Sequence, residues 1–152
     1  GADVPYCLLG GTALAEGIGE VLTPLPPLAD CTLLLAKPDI SVSTKYVYEH
    51  LDGISGYRHP DMDGMKASIQ AGNLDGVLAC LGNVLEAVTI PAWPIIASIQ
   101  EQMSHLGADG CLMSGSGPTV FGIFRDRALA EKACDNMQQG GLAPWVCITR
   151  PV

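Results

Sequence analysis

The run Ser114-Gly115-Ser116-Gly117-Pro118 concentrates more chemistry than any other stretch of the sequence. Two serines and two glycines present backbone N–H groups and hydroxyls without side-chain bulk, a concavity suited to phosphate oxygens. The same composition suits a plain hairpin turn that needs positive φ, so both readings stand on these residues alone. Asp3 lies in the segment 1–19, where Glu16 is the only other carboxylate. A carboxylate among apolar neighbours serves as a general base, or it caps a helix or bonds a turn. Asp61-Met62-Asp63-Gly64 has the look of a calcium loop, but such a loop needs Gly sixth and Glu twelfth, and here Gly64 is fourth and Gly72 twelfth. A solvated helix start is the better reading. Neither the G-x-S-x-G elbow of serine hydrolases nor the phosphate loop G-x-x-x-x-G-K-[ST] occurs. Cysteines 7, 31, 80, 111, 134 and 147 form no C-x-x-C, and His50, His59 and His105 stand apart from any cysteine pair. That spacing speaks against a zinc site and reads as buried thiols in a reducing compartment.

These residues must be held by a core, and composition supplies one. The chain has 152 residues, 48% of them hydrophobic and 16% charged. At this size a compact fold hides about 68–70% of its unfolded surface. So low a charge content excludes a solvated disordered chain. No apolar run reaches the roughly 18 residues of a bilayer span. The net charge of −8 leaves no basic stripe to replace the counterions of a nucleic acid.

Residues 5–22 read as a β-hairpin turning at Gly10-Gly11. Pro24, Pro26 and Pro27 then mark a stiff connector and the best boundary. After it, 31–36 reads as a buried strand, and Ser43 or Thr44 caps a helix through Leu51. Met62, Met65 and Ile69 mark a short helix ending at Gly72. Asn73 caps a longer one, with apolar residues at steps of three and four from Leu74 to Val88; Gly82 bends it and Pro91 ends it. A helix from Ile95 to Leu106 closes at Gly107. Strands at 110–113 and 119–124 flank the Gly/Ser turn, a helix covers 128–137, and 144–149 is a last strand. Strand, helices, strand, strand, helix, strand is the order of an α/β (α+β) fold of ferredoxin-like, split β-α-β type. The expected division is 1–29, hairpin and connector, and 30–152, the ferredoxin-like domain.

Three segments in order, GADVP…GGTALAEGIGE at 1–20, KPDISVST at 37–44 and MSGSGPTVFGIF at 113–124, give the chain a resemblance over its whole length. It resembles the GHMP small-molecule kinases, in particular the branch that phosphorylates 4-diphosphocytidyl-2-C-methyl-D-erythritol in the non-mevalonate isoprenoid pathway. The resemblance implies that Asp3 is the catalytic base, taking the proton of the attacking hydroxyl as the ATP γ-phosphate is transferred. It implies that Thr44 lies by the substrate, and that Ser114, Gly115, Ser116 and Gly117 lie beside the phosphate cleft. ATP and Mg²⁺ would serve the full-length enzyme, in a bacterial cytoplasm or plastid stroma.

Members of this family run to about twice this length, with the main ATP-binding loop ahead of GADVP. The chain, starting Gly-Ala-Asp, therefore resembles the second half of such a kinase: the tail of its N-terminal catalytic domain and the whole C-terminal domain. Alone it is expected to be inactive, and residues 1–23, with the hairpin 5–22, either to be mobile or to pair with a second copy through open edges. A charge of −8 repels a diphosphate, so the attraction must come from Mg²⁺ and from donors outside these residues. The other reading is a free-standing ferredoxin-like module that binds a small metabolite without catalysis.

Overall fold

The computed structural model describes residues 3–152. Gly1 and Ala2 of the GADVP motif lie outside the described residues. The chain opens with helix α1 (Val4–Leu9) rather than with a strand. Pro5 sits in its first turn, where a missing N–H costs nothing and the fixed φ favours the helix. Gly10 and Gly11, both at positive φ, stop this helix and do not turn a hairpin. The hairpin lies further on and corrects the expected span 5–22. Strand β1 (Thr12–Glu16) pairs antiparallel with β2 (Val21–Leu25), with Thr12 opposite Leu25 and Glu16 opposite Val21. Its turn runs over 17–20, where Gly17 and Gly19 take positive φ and Glu20 accepts the Ile18 N–H at 2.6 Å. Pro24 is therefore inside β2, opposite Ala13, and the connector begins after it.

The rest of the chain is built on a four-stranded antiparallel sheet of β3 (Thr32–Lys37), β4 (Gly110–Met113), β5 (Val120–Phe124) and β6 (Trp145–Thr149). Its order is β4-β5-β3-β6, the ferredoxin-like order in which the first strand lies between the third and the last. Alternation along the strands sends Leu34, Ala36, Val120 and Phe124 to one face. There α6 (Ile95–His105) and α7 (Arg127–Gly140) cover them with Ile96, Ile99, Met103, Ala130, Ala133 and Met137. Leu33, Leu35, Phe121 and Ile123 point to the opposite face, toward Met65, Ile69, Val77 and Leu81 of the segment 62–81.

Local caps set most helix starts. Ser43 accepts the Tyr46 N–H at 3.3 Å to begin α2 (Thr44–Leu51). Asp61 accepts the Gly64 N–H at 2.9 Å to begin α3 (Met62–Gln70), which gives the DMDG run its helix-start role. Asn73 begins α4 (Leu74–Ala79) by accepting the Gly76 N–H at 3.1 Å. The long helix expected from 73 to 88 is two helices, with α5 spanning Glu86–Ala92. The interval 80–85 is not helical; there Asn83 accepts the Leu85 N–H and bonds turn carbonyls across the fold, and a Cβ at Gly82 would lie 3.1 Å from the Pro60 ring. Pro91 lies inside α5, and the chain turns at Trp93-Pro94 into α6. The cysteines are free thiols among the described residues, but only Cys31 and Cys134 are buried, and Cys7 is exposed. Among the described residues no helix is long and apolar enough to cross a membrane.

Candidate functional site

The Gly/Ser run forms the connection between β4 and β5, so the sheet fixes both of its ends. Ser114 N–H donates to Thr119 O at 2.8 Å and Gly117 N–H to Ser114 O at 2.9 Å, closing a turn within a turn. Gly115 and Gly117 have φ of 56° and 88°, the left-handed region open to glycine. A Cβ on Gly117 would lie 2.7 Å from Met113 Sδ, so no larger residue fits without displacing that side chain.

The carbonyls of this turn are tied back to the segment leading into α5. Asn83 Nδ2 donates to Met113 O at 2.9 Å and to Gly115 O at 2.8 Å. Thr89, buried in α5, donates its hydroxyl to Ser116 O at 3.3 Å. Ser114 O is taken by Gly117, so every carbonyl from 113 to 116 accepts a bond. The N–H groups of Gly115 and Ser116 have no protein acceptor among the described residues. Successive free N–H groups are the donors from which a nest for anionic oxygens is made where they converge.

Thr44, the first residue of α2, reaches this turn: its Oγ1 lies 2.9 Å from Ser116 Oγ, across 72 positions of sequence. The fold thus joins two of the three segments singled out from the sequence. Asp3 is not joined to them by any hydrogen bond among the described residues. It is exposed, precedes α1 and makes no side-chain capping bond. Tyr6, one turn along α1, donates to Gly11 O at 2.6 Å and lines an apolar cavity of about 560 Å³. That cavity runs between the hairpin base and the open sheet face and ends at Ser114 and Thr119.

Asn83, Glu86 and Thr89 were not singled out by sequence reasoning. Glu86 Oε1 accepts Met113 N–H at 2.8 Å and a Gln100 Nε2 proton at 2.6 Å. The one available signal was the spacing of three polar residues at steps of three within an apolar helical pattern. Among the described residues no three His, Cys, Asp or Glu side chains cluster so as to hold a metal ion.

The chain is similar to known proteins over nearly its whole length. The family model described as "GHMP kinases C terminal" matches residues 65–142, half of the chain. A 4-diphosphocytidyl-2-C-methyl-D-erythritol kinase of Lachnospira eligens is 52% identical over 149 residues, which are 98% of this chain and 52% of that protein. The protein of the same name from Lachnoclostridium phytofermentans is 49% identical over 99% of this chain and 52% of its own length. The chain therefore spans about half the length of the curated relatives it matches. Among solved structures, a 4-(cytidine 5'-diphospho)-2C-methyl-D-erythritol kinase superimposes with a TM-score of 0.78 at 28% identity, over 99% of this chain and 53% of that one. The homoserine kinase of Cytophaga hutchinsonii shares the fold, with a TM-score of 0.71 at 20% identity over 97% of this chain and 50% of its own. With a family model matching residues 65–142, from within α3 to the end of α7, the chain belongs to the GHMP kinase family.

Proposed function

We propose that these residues are the C-terminal part of an ATP-dependent kinase that phosphorylates 4-diphosphocytidyl-2-C-methyl-D-erythritol at its 2-hydroxyl. Residues 1–29 are then the tail of the catalytic domain and 30–152 the C-terminal domain. The observation that carries the reading is the Thr44–Ser116 bond of 2.9 Å. It sets a hydroxyl suited to an alcohol substrate against a turn whose Gly115 and Ser116 N–H groups are free for phosphate oxygens. The 52% identity to the Lachnospira eligens kinase favours this substrate over the other alcohols of the family.

In this mechanism the substrate hydroxyl oxygen attacks the γ-phosphorus of ATP, the bond to the β-phosphate bridging oxygen breaks, and ADP leaves. The hydroxyl proton passes to the Asp3 carboxylate. The turn 114–117 steadies phosphate oxygens, and Thr44 helps to fix the alcohol. Positioning does most of the work in phosphoryl transfer, and a chain of net charge −8 attracts a triphosphate poorly. We therefore expect the 152 residues alone to give no turnover, with binding donors and Mg²⁺ supplied in the full-length enzyme. The bacterial relatives favour a bacterial cytoplasm as the setting.

The test is a coupled ADP-release assay on a full-length kinase carrying this segment, with the cytidyl-linked methylerythritol, homoserine and mevalonate as alternative acceptors. The expected result is turnover with the first alone. Equal turnover of homoserine or mevalonate would overturn the substrate assignment. Metabolite binding with no phosphoryl transfer to any acceptor would favour the regulatory-module reading.

A further inference from the structure

The residues that shape the Gly/Ser turn do not belong to it. Asn83, Glu86 and Thr89 stand at steps of three, so they share one face of α5 and the segment leading into it. Asn83 uses its whole carboxamide: Oδ1 accepts Leu85 N–H at 3.0 Å, while Nδ2 donates to Met113 O and Gly115 O. Glu86 holds the Met113 N–H from the same side, and Thr89 holds Ser116 O. α5 also packs against α2, where Trp93 meets the Tyr46 ring edge-on at 5.6 Å. One short helix therefore sets both the turn and the helix that carries Thr44.

We propose that Asn83, Glu86 and Thr89 are positioning residues: Asn83 and Thr89 bind the turn carbonyls, and Glu86 the Met113 N–H, back onto α5 and the segment leading into it, so that the Gly115 and Ser116 N–H groups face the nucleotide phosphates. This inference rests on the phosphate-binding reading of the turn. A carbonyl oxygen released from Asn83 or Thr89 is free to rotate toward the phosphates and repel them. Loss of the tie should therefore weaken ATP binding more than it weakens the fold.

The experiment uses the full-length kinase carrying this segment and measures kcat, KM for ATP, KM for the alcohol and the melting temperature. Asn83→Asp keeps the shape and the Leu85 acceptor but removes both donors, and it should raise KM for ATP about tenfold while moving the alcohol KM less than about twofold. Thr89→Val, isosteric but without the hydroxyl, should raise it about threefold, and Thr89→Ser should recover most of that loss. Gly117→Val disturbs the turn directly and serves as the reference. If Gly117→Val raises KM for ATP while Asn83→Asp and Thr89→Val change only the melting temperature, the positioning role is overturned and the turn reading stands. If Gly117→Val folds and leaves both Michaelis constants unchanged, the phosphate reading fails and the positioning role fails with it. Should Asn83→Asp not fold, the Thr89 pair decides alone, because Val and Ser differ from Thr by one group each.

Discussion

Residues 3–25 and residues 32–149 are stabilised in different ways. α1, β1 and β2 contain no buried residue, and Val4, Leu8, Ile18 and Val21 are all more than half exposed. Among the described residues β1 and β2 pair only with each other. The four-stranded sheet instead buries Leu34, Ile96, Ile99, Met103, Val120 and Phe124 completely, and its strands and helices reach across the sequence to do so. An isolated ribbon is marginal in water, whereas a sheet packed on helices is not. The proposed base Asp3 sits on the part without a core, and the proposed phosphate turn on the part with one. Chemistry and stability are thus expected to respond to different mutations.

The largest expected separation is kinetic. In the full-length kinase Asp3→Asn should lower kcat by about 10²–10⁴ with little change in melting temperature or Michaelis constants. A kcat within about threefold of wild type would leave Asp3 a structural role. Hydrogen exchange on the 152-residue chain sharpens the same contrast: amides of β1 and β2 should exchange about 10²-fold or more faster than those of β5. Equal protection in a chain shown to be monomeric by light scattering would mean that the hairpin finds a core within these residues. Equal protection in a dimer would mean that open β1 and β2 edges pair between copies.

Core truncation comes next. Phe124→Ala should cost about 3–5 kcal/mol in urea unfolding. Val4→Ala should stay within about 0.5 kcal/mol, because surface substitutions away from special features rarely exceed that. The smallest expected effect is chemical. Burial, with the Asp30 carboxylate second, holds the Cys31 thiol above its ordinary range, and burial with Asp135 and then Cys147 does the same for Cys134. Alkylation at neutral pH should therefore label exposed Cys7 first and Cys31 and Cys134 last, the latter two gaining as the pH is raised. Peptide mass spectrometry over time would show the order, and early labelling of Cys31 would mean that the connector opens from the sheet.

Much of the fold was legible because its signals are local. Ser43, Asp61 and Asn73 each place a side-chain oxygen where a helix start needs one, and each begins a helix. The two strands around SGSGP and their chain order with the strands read at 31–36 and 144–149 followed from short apolar runs and turn residues. Two readings failed where local signals competed. Gly10-Gly11 looked like a hairpin turn, yet Pro5 in the preceding stretch favours a helix that those glycines end. The apolar spacing from Leu74 to Val88 continued past Gly82 without a break, but the backbone does not.

What the sequence determined by itself was the hydrophobic pattern, the caps, the turn chemistry and a resemblance carried by three short segments. Each depends on neighbours within a few residues, where spacing translates directly into geometry. Only the tertiary structure decided that Thr44 meets Ser116, that Asn83 and Thr89 hold the turn carbonyls, and that a helix stops at Ala79 and another begins at Glu86. Those contacts join residues 27 to 72 positions apart. They exist because sheet pairing brings β4 and β5 against the segment leading into α5, where a carboxamide gains more by bonding exposed turn carbonyls than by letting its own helix run on.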